Sequence, residues 1–334
     1  MKNYNIPLFV PHKGCPNDCV FCNQKRITAK IQPVTGQQVD NIISEHLKTI
    51  PQDAYIEAAF FGGSFTGIPI EEQDELLTIA KKYKEMGKIS GIRLSTRPDY
   101  INEEILDLLK SKCVTTIELG VQSLDEDVLI LSNRGHTRED VFRAVGLIKS
   151  YGFSLGLQMM TGLPGDSFEK SVKTMEEFIN LKPDFVRIYP TLVIKDTALA
   201  DLYYSGAYIP QSLEDAVSLC KHLKKQFTKN NIKVIRVSLQ PTEEISPLAS
   251  VVAGPFHSAF GELVDNAIYY DEIIKKTKSI SDCTVIIGVN PSCISKAIGN
   301  KRINVIKLKN EKNIRLKVVG IATEAGKVEL IGVE

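Results

Sequence analysis

Cys15, Cys19 and Cys22 stand in the segment GCPNDCVFCNQ at a C-x3-C-x2-C spacing, and no fourth cysteine lies nearby. Three thiols crowded into eight residues, out of an odd total of seven, suit a metal site in a reducing compartment better than a disulfide framework. Two centres suit them. On a cubane of four irons, three thiolates leave one iron open to a small chelating ligand, which implies chemistry as well as electron storage. A zinc ion would instead take His12 as its fourth ligand, although zinc usually prefers paired C-x2-C knuckles and no second knuckle is present. Cys113, Cys220, Cys283 and Cys293 are expected to be buried or spectator thiols.

Positioning these thiols requires a scaffold, and the first 240 residues supply a repeating one. Short β-rich runs alternate with helical patterns of ten to twenty residues, which is how repeated βα units and a parallel sheet or barrel read in sequence. The predicted strands are residues 6–10, 55–61, 91–95, 115–121, 154–160, 185–189 and 233–239. Between them lie helices such as EEQDELLTIAKKYKEMG, where Leu76, Leu77 and Ala80 recur at helical spacing and Gly87 supplies a stop.

Alternate side chains of a strand face opposite ways, so each run splits into two faces. One face carries Ile92, Leu94, Ile117, Leu119, Val121, Leu155, Leu157, Met159, Val186, Ile188, Ile235, Val237 and Leu239. The other carries Arg93, Ser95, Arg97, Glu118, Gly120, Gln122, Ser154, Gly156, Gln158, Arg187, Tyr189, Arg236, Ser238 and Gln240. Helices must cover the first face, leaving a polar lumen where closed barrels normally pack branched apolar side chains. The expectation is an open cavity holding a polar ligand. After residue 240 a turn-rich stretch, a helix and the runs TVIIGV, IRLKVVGI and KVELIGV predict a small α+β appendage over 241–334.

A net charge of +1 gives no global electrostatic case for a nucleic acid or membrane partner. With no apolar run near the ~20 residues of a membrane span, the expectation is a soluble cytoplasmic protein. The segment Lys296 to Glu334 holds nine Lys or Arg against four Glu. A solvated face is the plainer reading of that excess, and a weak nucleic acid surface the sharper one.

The cysteine spacing, its place after a first strand and the βα repeats that follow resemble the radical S-adenosylmethionine superfamily. The resemblance implies an α/β fold with a partial (β/α) barrel, related to the TIM barrel. It also implies a [4Fe-4S] cluster on Cys15, Cys19 and Cys22, with S-adenosylmethionine chelating the fourth iron and Phe21 near the adenine. The turn FFGGSFTG resembles the family's Gly-Gly-Glu turn. Gly62 and Gly63 would then offer backbone groups to the methionine ammonium, with Ser64 in place of the acidic residue.

The segments LSTRPD, ELGVQS, NRGH and LQMMTGLPGD resemble parts of the oxygen-independent coproporphyrinogen oxidases and of the radical half of the Elongator catalytic subunit. This places Gln122 and Gln158 at ribose-contacting positions and Ser95 and Arg134 near the methionine moiety. Those oxidases carry an acidic residue where Ser95 and Gln158 stand.

With VRIYPTLVIKDT and VVAGPFHSAFGELV included, nearly the whole chain resembles short Elongator-type radical proteins that lack the acetyltransferase domain and the basic tRNA-binding extension. An activity assigned in that group is queuine lyase, a radical cleavage of a carbon-nitrogen bond in the free base queuine that releases 7-aminomethyl-7-deazaguanine. The resemblance thus implies a small modified nucleobase as substrate and an electron donor such as flavodoxin or ferredoxin. Tyr189, Arg236, Gln240 and His257 are the expected substrate contacts. The alternatives are a tRNA-modifying enzyme acting on wobble uridine and a zinc-stabilised binding module without turnover.

Overall fold

The computed structural model describes residues 2–10, 19–23, 34–239, 245–247 and 249–334, so His12, Cys15 and Gln240 lie outside the described residues. Seven strands form one parallel sheet in chain order: β1 (Asn3–Val10), β2 (Tyr55–Gly62), β3 (Gly91–Thr96), β4 (Thr116–Gln122), β5 (Ser154–Thr161), β6 (Phe185–Pro190) and β8 (Lys233–Val237). The intervening β7 (Val193–Ile194) pairs antiparallel with β9 (Val251–Ala253). The sheet is an open half-barrel, and each of the seven expected strands is present in it.

The helices are α1 (Gly36–Leu47), α2 (Ile70–Glu85), α3 (Glu103–Ser111), α4 (Glu126–Leu131), α5 (Arg138–Ser150), α6 (Phe168–Leu181), α7 (Ala198–Tyr204) and α8 (Leu213–Lys229). Their first turns are set by side chains that accept backbone N–H groups: Thr35, Asn102, Asp125, Thr137, Ser167 and Thr197. Each such cap contributes about 1 kcal/mol and fixes where a strand-to-helix loop ends. Leu76, Leu77 and Ala80 of α2 are buried as expected, and Gly87 leaves the helix at φ +67°.

The apolar face holds the core: Ile92, Leu94, Ile117, Leu119, Leu157, Met159, Val186 and Ile188 are all fully buried. Two strands depart from the expected alternation: β4, where a bulge skips Val121 and pairs Gln122 with Met159, and β8. A bulge in β8 pairs Val234 with Val186 and Arg236 with Arg187, so Val234, not Ile235, lies opposite Val186, and Ile235 is the inserted residue.

The chain divides into two compact units, residues 1–211 with 227–256, and residues 212–226 with 257–334, whereas the expected boundary was at 240. The second unit contains α9 (Phe260–Lys276), β10 (Thr284–Val289), α10 (Ile294–Ile298), α11 (Ile303–Lys312), β11 (Arg315–Gly320) and β12 (Val328–Val333). β10 is its central strand, parallel to β11 and antiparallel to β12, over a core of Tyr269, Ile273, Val285, Ile287, Leu308 and Leu316. Several of its cations are locally paired, including Lys296 with Asp265 and Lys317 with Glu334, both at 2.8 Å. Among the described residues no helix is long and apolar enough to cross a membrane.

Candidate functional site

Cys19 and Cys22 sit in a turn closed by the Cys22 N–H donating to the Cys19 carbonyl at 2.9 Å. Neighbouring segments hold this turn. The Val20 N–H donates to the Ser132 carbonyl at 3.1 Å, and Leu199 N–H donates to the Val20 carbonyl at 2.7 Å. The Asn23 amide reaches the carbonyls of Lys195 and Asp196 at 3.2 and 3.1 Å. Phe21, half-buried, packs with Val20 against Val193, Leu199, Ala200 and Tyr208. Tyr208 also lines a cleft of about 470 Å³ with Leu131, Leu163, Asp166 and Gln211.

Arg134 links this turn to the sheet. Its Nη1 lies 3.3 Å from the Cys19 sulfur, and its Nη2 donates to the Gly120 carbonyl. Gly120 leads into a bulge where β4 pairs Gly120 with Gln158 and Gln122 with Met159, and Gln122 sits at φ +72°. Backbone conformations of this kind cost energy and re-aim a side chain at the end of a strand. An alanine at 120 would place its Cβ 3.0 Å from Arg134 Nη2 and 3.1 Å from Gln122 Nε2, so glycine keeps room for both.

The turn after β2 is anchored differently. Gly62 takes φ +113°, where a Cβ would lie 2.7 Å from the Val10 carbonyl oxygen, and Gly63 N–H donates to that same oxygen at 3.1 Å. Ser64 is buried. Its hydroxyl shares a 2.8 Å hydrogen bond with the Thr96 hydroxyl and accepts the Arg97 N–H at 3.2 Å, so its side chain joins the ends of β2 and β3.

Across the polar face the side chains interlock. Arg93 reaches Glu57 at 2.7 Å and Glu118 at 2.8 Å, and Arg187 approaches Glu118 through Nε at 2.7 Å and Nη2 at 2.9 Å. Gln158 Nε2 donates to Glu118 at 3.1 Å and lies 3.5 Å from Ser95 Oγ, and Tyr189 OH lies 3.5 Å from Arg187 Nη1. Phe185 and Phe61 lie under the Arg93 and Arg187 guanidinium groups at 5.1 and 5.5 Å. Burial works against the Arg187 charge, but Glu118 and Tyr189 more than offset it and raise its pKa. Two carboxylates and two guanidinium groups neutralise one another. This deep part of the polar face is therefore filled and not the open cavity expected.

The expected residues thus fall into groups. Arg134 joins Cys19 to Gly120 near Gln122 at the end of β4, Cys22 and Phe21 share the Cys19 turn, and Ser95, Gln158 and Tyr189 border the ionic array. Arg236 is exposed on β8, beside Arg187 in the register. His257 lies in the second unit, its Nδ1 accepting the Ala259 N–H at 3.0 Å. Sequence reasoning did not single out Glu57, Arg93, Glu118 and Arg187 as site residues, although their charge on alternate positions was the available signal. It also missed His136, in the NRGH segment. This residue is buried beside Arg134 and Arg97, and burial first, then those two cations, push its pKa down to about 3.

Whether these residues fit a cluster and S-adenosylmethionine can be judged from the polar atoms they leave over. Among the described residues, the buried Gln122 Oε1 and Arg134 Nε lack a partner in hydrogen-bonding geometry. Buried orphan groups are costly unless a ligand meets them. An acceptor suits ribose hydroxyls, a guanidinium suits a carboxylate, and a donor at 3.3 Å from a cysteine sulfur suits a metal-bound thiolate. The described residues fit both groups.

Residues 9–178 match the family described as the Radical SAM superfamily, and residues 183–270 match the Radical_SAM C-terminal domain. The tRNA uridine(34) acetyltransferase of Methanocaldococcus infernus is 32% identical over 229 residues, covering 63% of this chain and 42% of that protein. Elongator complex protein 3 of Homo sapiens is 36% identical over 185 residues, covering 49% of this chain and 34% of that protein. The chain spans less than half the length of these curated relatives. The solved structure of the archaeal Methanocaldococcus infernus Elp3 with its N-terminus deleted superposes at a TM-score of 0.63 with 26% identity, over 83% of this chain and 63% of that one.

Proposed function

The chain belongs to the radical SAM superfamily, and on that premise we propose that it is a tRNA-modifying radical enzyme of the Elongator type, with a uridine of tRNA as the favoured substrate. The observation that carries this reading is the similarity to a protein named for tRNA uridine(34), over 63% of the chain. The family uses a [4Fe-4S] cluster and S-adenosylmethionine, which leaves the zinc-stabilised binding module without support. When bound, these supply a 5′-deoxyadenosyl radical from one externally delivered electron.

The chain's own residues do the rest. Cys19 and Cys22, with Cys15, would hold the cluster, and Arg134 ties Cys19 to the sheet. Gln122 and Gln158 would orient the ribose, and Gly62 and Gly63 would meet the ammonium through backbone groups. Tyr189 and Arg187 border the space where a base would lie beside the radical, since small misplacements of the reacting C–H bond are costly. Flavodoxin or ferredoxin completes the proposed reaction as electron donor.

A second reading is queuine lyase. The near-neutral net charge favours it, because a chain without an excess of cations has no general attraction for a polyanion. One experiment separates the two. Anaerobically reconstituted chain is given S-adenosylmethionine, a reductant, and either unmodified tRNA or queuine, with 5′-deoxyadenosine and the base products followed by mass spectrometry. The tRNA reading expects 5′-deoxyadenosine formation that depends on tRNA. Release of 7-aminomethyl-7-deazaguanine from queuine, with no response to tRNA, would establish the lyase instead.

A further inference from the structure

Glu118 is fully buried and contacts four donor atoms. One oxygen accepts from Arg93 and Arg187, and the other accepts from Gln158 Nε2 at 3.1 Å and lies 2.7 Å from Arg187 Nε. An ionised carboxylate only accepts hydrogen bonds, whereas an amide has a donating end and an accepting end. Glu118 therefore decides which end of Gln158 faces it. The Gln158 NH2 turns toward Glu118, with Ser95 Oγ at 3.5 Å. The carbonyl end is left facing away from the array, and among the described residues nothing donates to it. An amide held this way acts as an acceptor, much as an acidic residue would at the same place.

We propose that Glu118 is a positioning residue that locks the Gln158 amide with its carbonyl oxygen toward the cofactor, so that Gln158 accepts hydrogen bonds from the ribose hydroxyls of the adenosyl group. The departure from an acidic residue at 158 is thereby compensated from the neighbouring strand. The arrangement also spares the site a second negative charge beside Glu118, where two carboxylates in contact would repel. This rests on the reading of the chain as an S-adenosylmethionine enzyme.

The test is equilibrium binding, with no turnover and no nucleic acid. Anaerobically reconstituted full-length chain is titrated with S-adenosylhomocysteine and with its 2′,3′-dideoxyribose analogue, and the ratio of the two Kd values is the readout. Wild type is expected to favour the hydroxylated ligand by roughly tenfold, the scale of one or two hydrogen bonds. In Glu118→Gln the amide is no longer held one way round, and the preference drops below about threefold. Glu118→Asp keeps a charge opposite the arginines and draws the acceptor away from Gln158, so it gives the same loss should Glu118→Gln fail to fold. The exchange Glu118→Gln with Gln158→Glu returns an acceptor to the ribose and restores the preference.

An unchanged ratio in the folded single variants would overturn the proposal, as would a folded exchange variant that fails to recover. A wild type that binds both ligands equally would remove the ribose contacts of Gln158 and Gln122, and with them the role of Glu118, while leaving the cofactor reading in place. A wild type that binds neither would overturn the cofactor reading itself.

Discussion

Gly156 offers a demanding check on the packing of the polar face, because a single methyl group added there has nowhere to go. It lies between Glu118 on β4 and Phe185 on β6 in the register. A Cβ at this position would lie 2.3 and 2.4 Å from Phe185 Cε2 and Cζ and 3.0 Å from Glu118 Cγ. Carbon atoms settle at about 3.5 to 4.0 Å, so in Gly156→Ala the ring must retreat by more than about 1 Å. Phe185 is buried and carries the Arg93 guanidinium over its face, so the retreat also disturbs that contact. Overpacking costs about 1–3 kcal/mol, and a desolvated cation-π contact contributes about 1 kcal/mol more, for a total near 3 kcal/mol. At about 2–4 °C per kcal/mol for a unit of this size, Tm falls by about 6–12 °C. Scanning calorimetry of wild type, Gly156→Ala and the double variant Gly156→Ala with Phe185→Leu measures this directly. The leucine vacates the volume of the ring edge and is expected to recover at least half of the loss. A Tm for Gly156→Ala within about 1 °C of wild type, or no recovery in the double variant, would refute the reasoning.

Gly62→Ala forces a side chain into φ +113° and against the Val10 carbonyl, and is expected to cost about 2 kcal/mol or more by urea denaturation, with weakened S-adenosylmethionine binding in equilibrium dialysis. His136 stays neutral when folded, with a pKa near 3, while the unfolded chain protonates it below about 6.5. Its contribution is therefore complete above that pH and is lost as pH falls, by about 2 kcal/mol at pH 5. Urea midpoints at pH 7.5 and 5 should separate wild type from His136→Gln by this amount, and parallel responses would count against it. Arg134→Ala removes the donor to the Cys19 sulfur, so iron bound per chain after reconstitution is expected to fall, and Arg134→Lys to restore part of it.

The seven parallel strands were legible because each is a short apolar-polar alternation bounded by turn residues, and the two-residue period assigns the faces. Val121 and Ile235 are the exceptions, since a bulge depends on the partner strand and leaves no mark on the local pattern. The same holds for the site. Arg134, Gln122 and Gln158 could be picked out by their segments, but the Glu57, Arg93, Glu118 and Arg187 array joins four strands, and its contacts depend on register and side-chain length together. A polar lumen reads as open space when each residue is counted separately. Opposite charges at reach of one another close it.

The turn bearing Cys19 and Cys22 lies outside any helix or strand and is strapped to the body at Ser132 and along residues 195–199. A strap constrains both of its ends. Whatever the two sulfurs grip also steadies the approach to α7, where Lys195 and Asp196 are exposed. Iron content and resistance to protease nicking at that approach would then rise and fall together, and a brief digest would report how much of a preparation carries its metal.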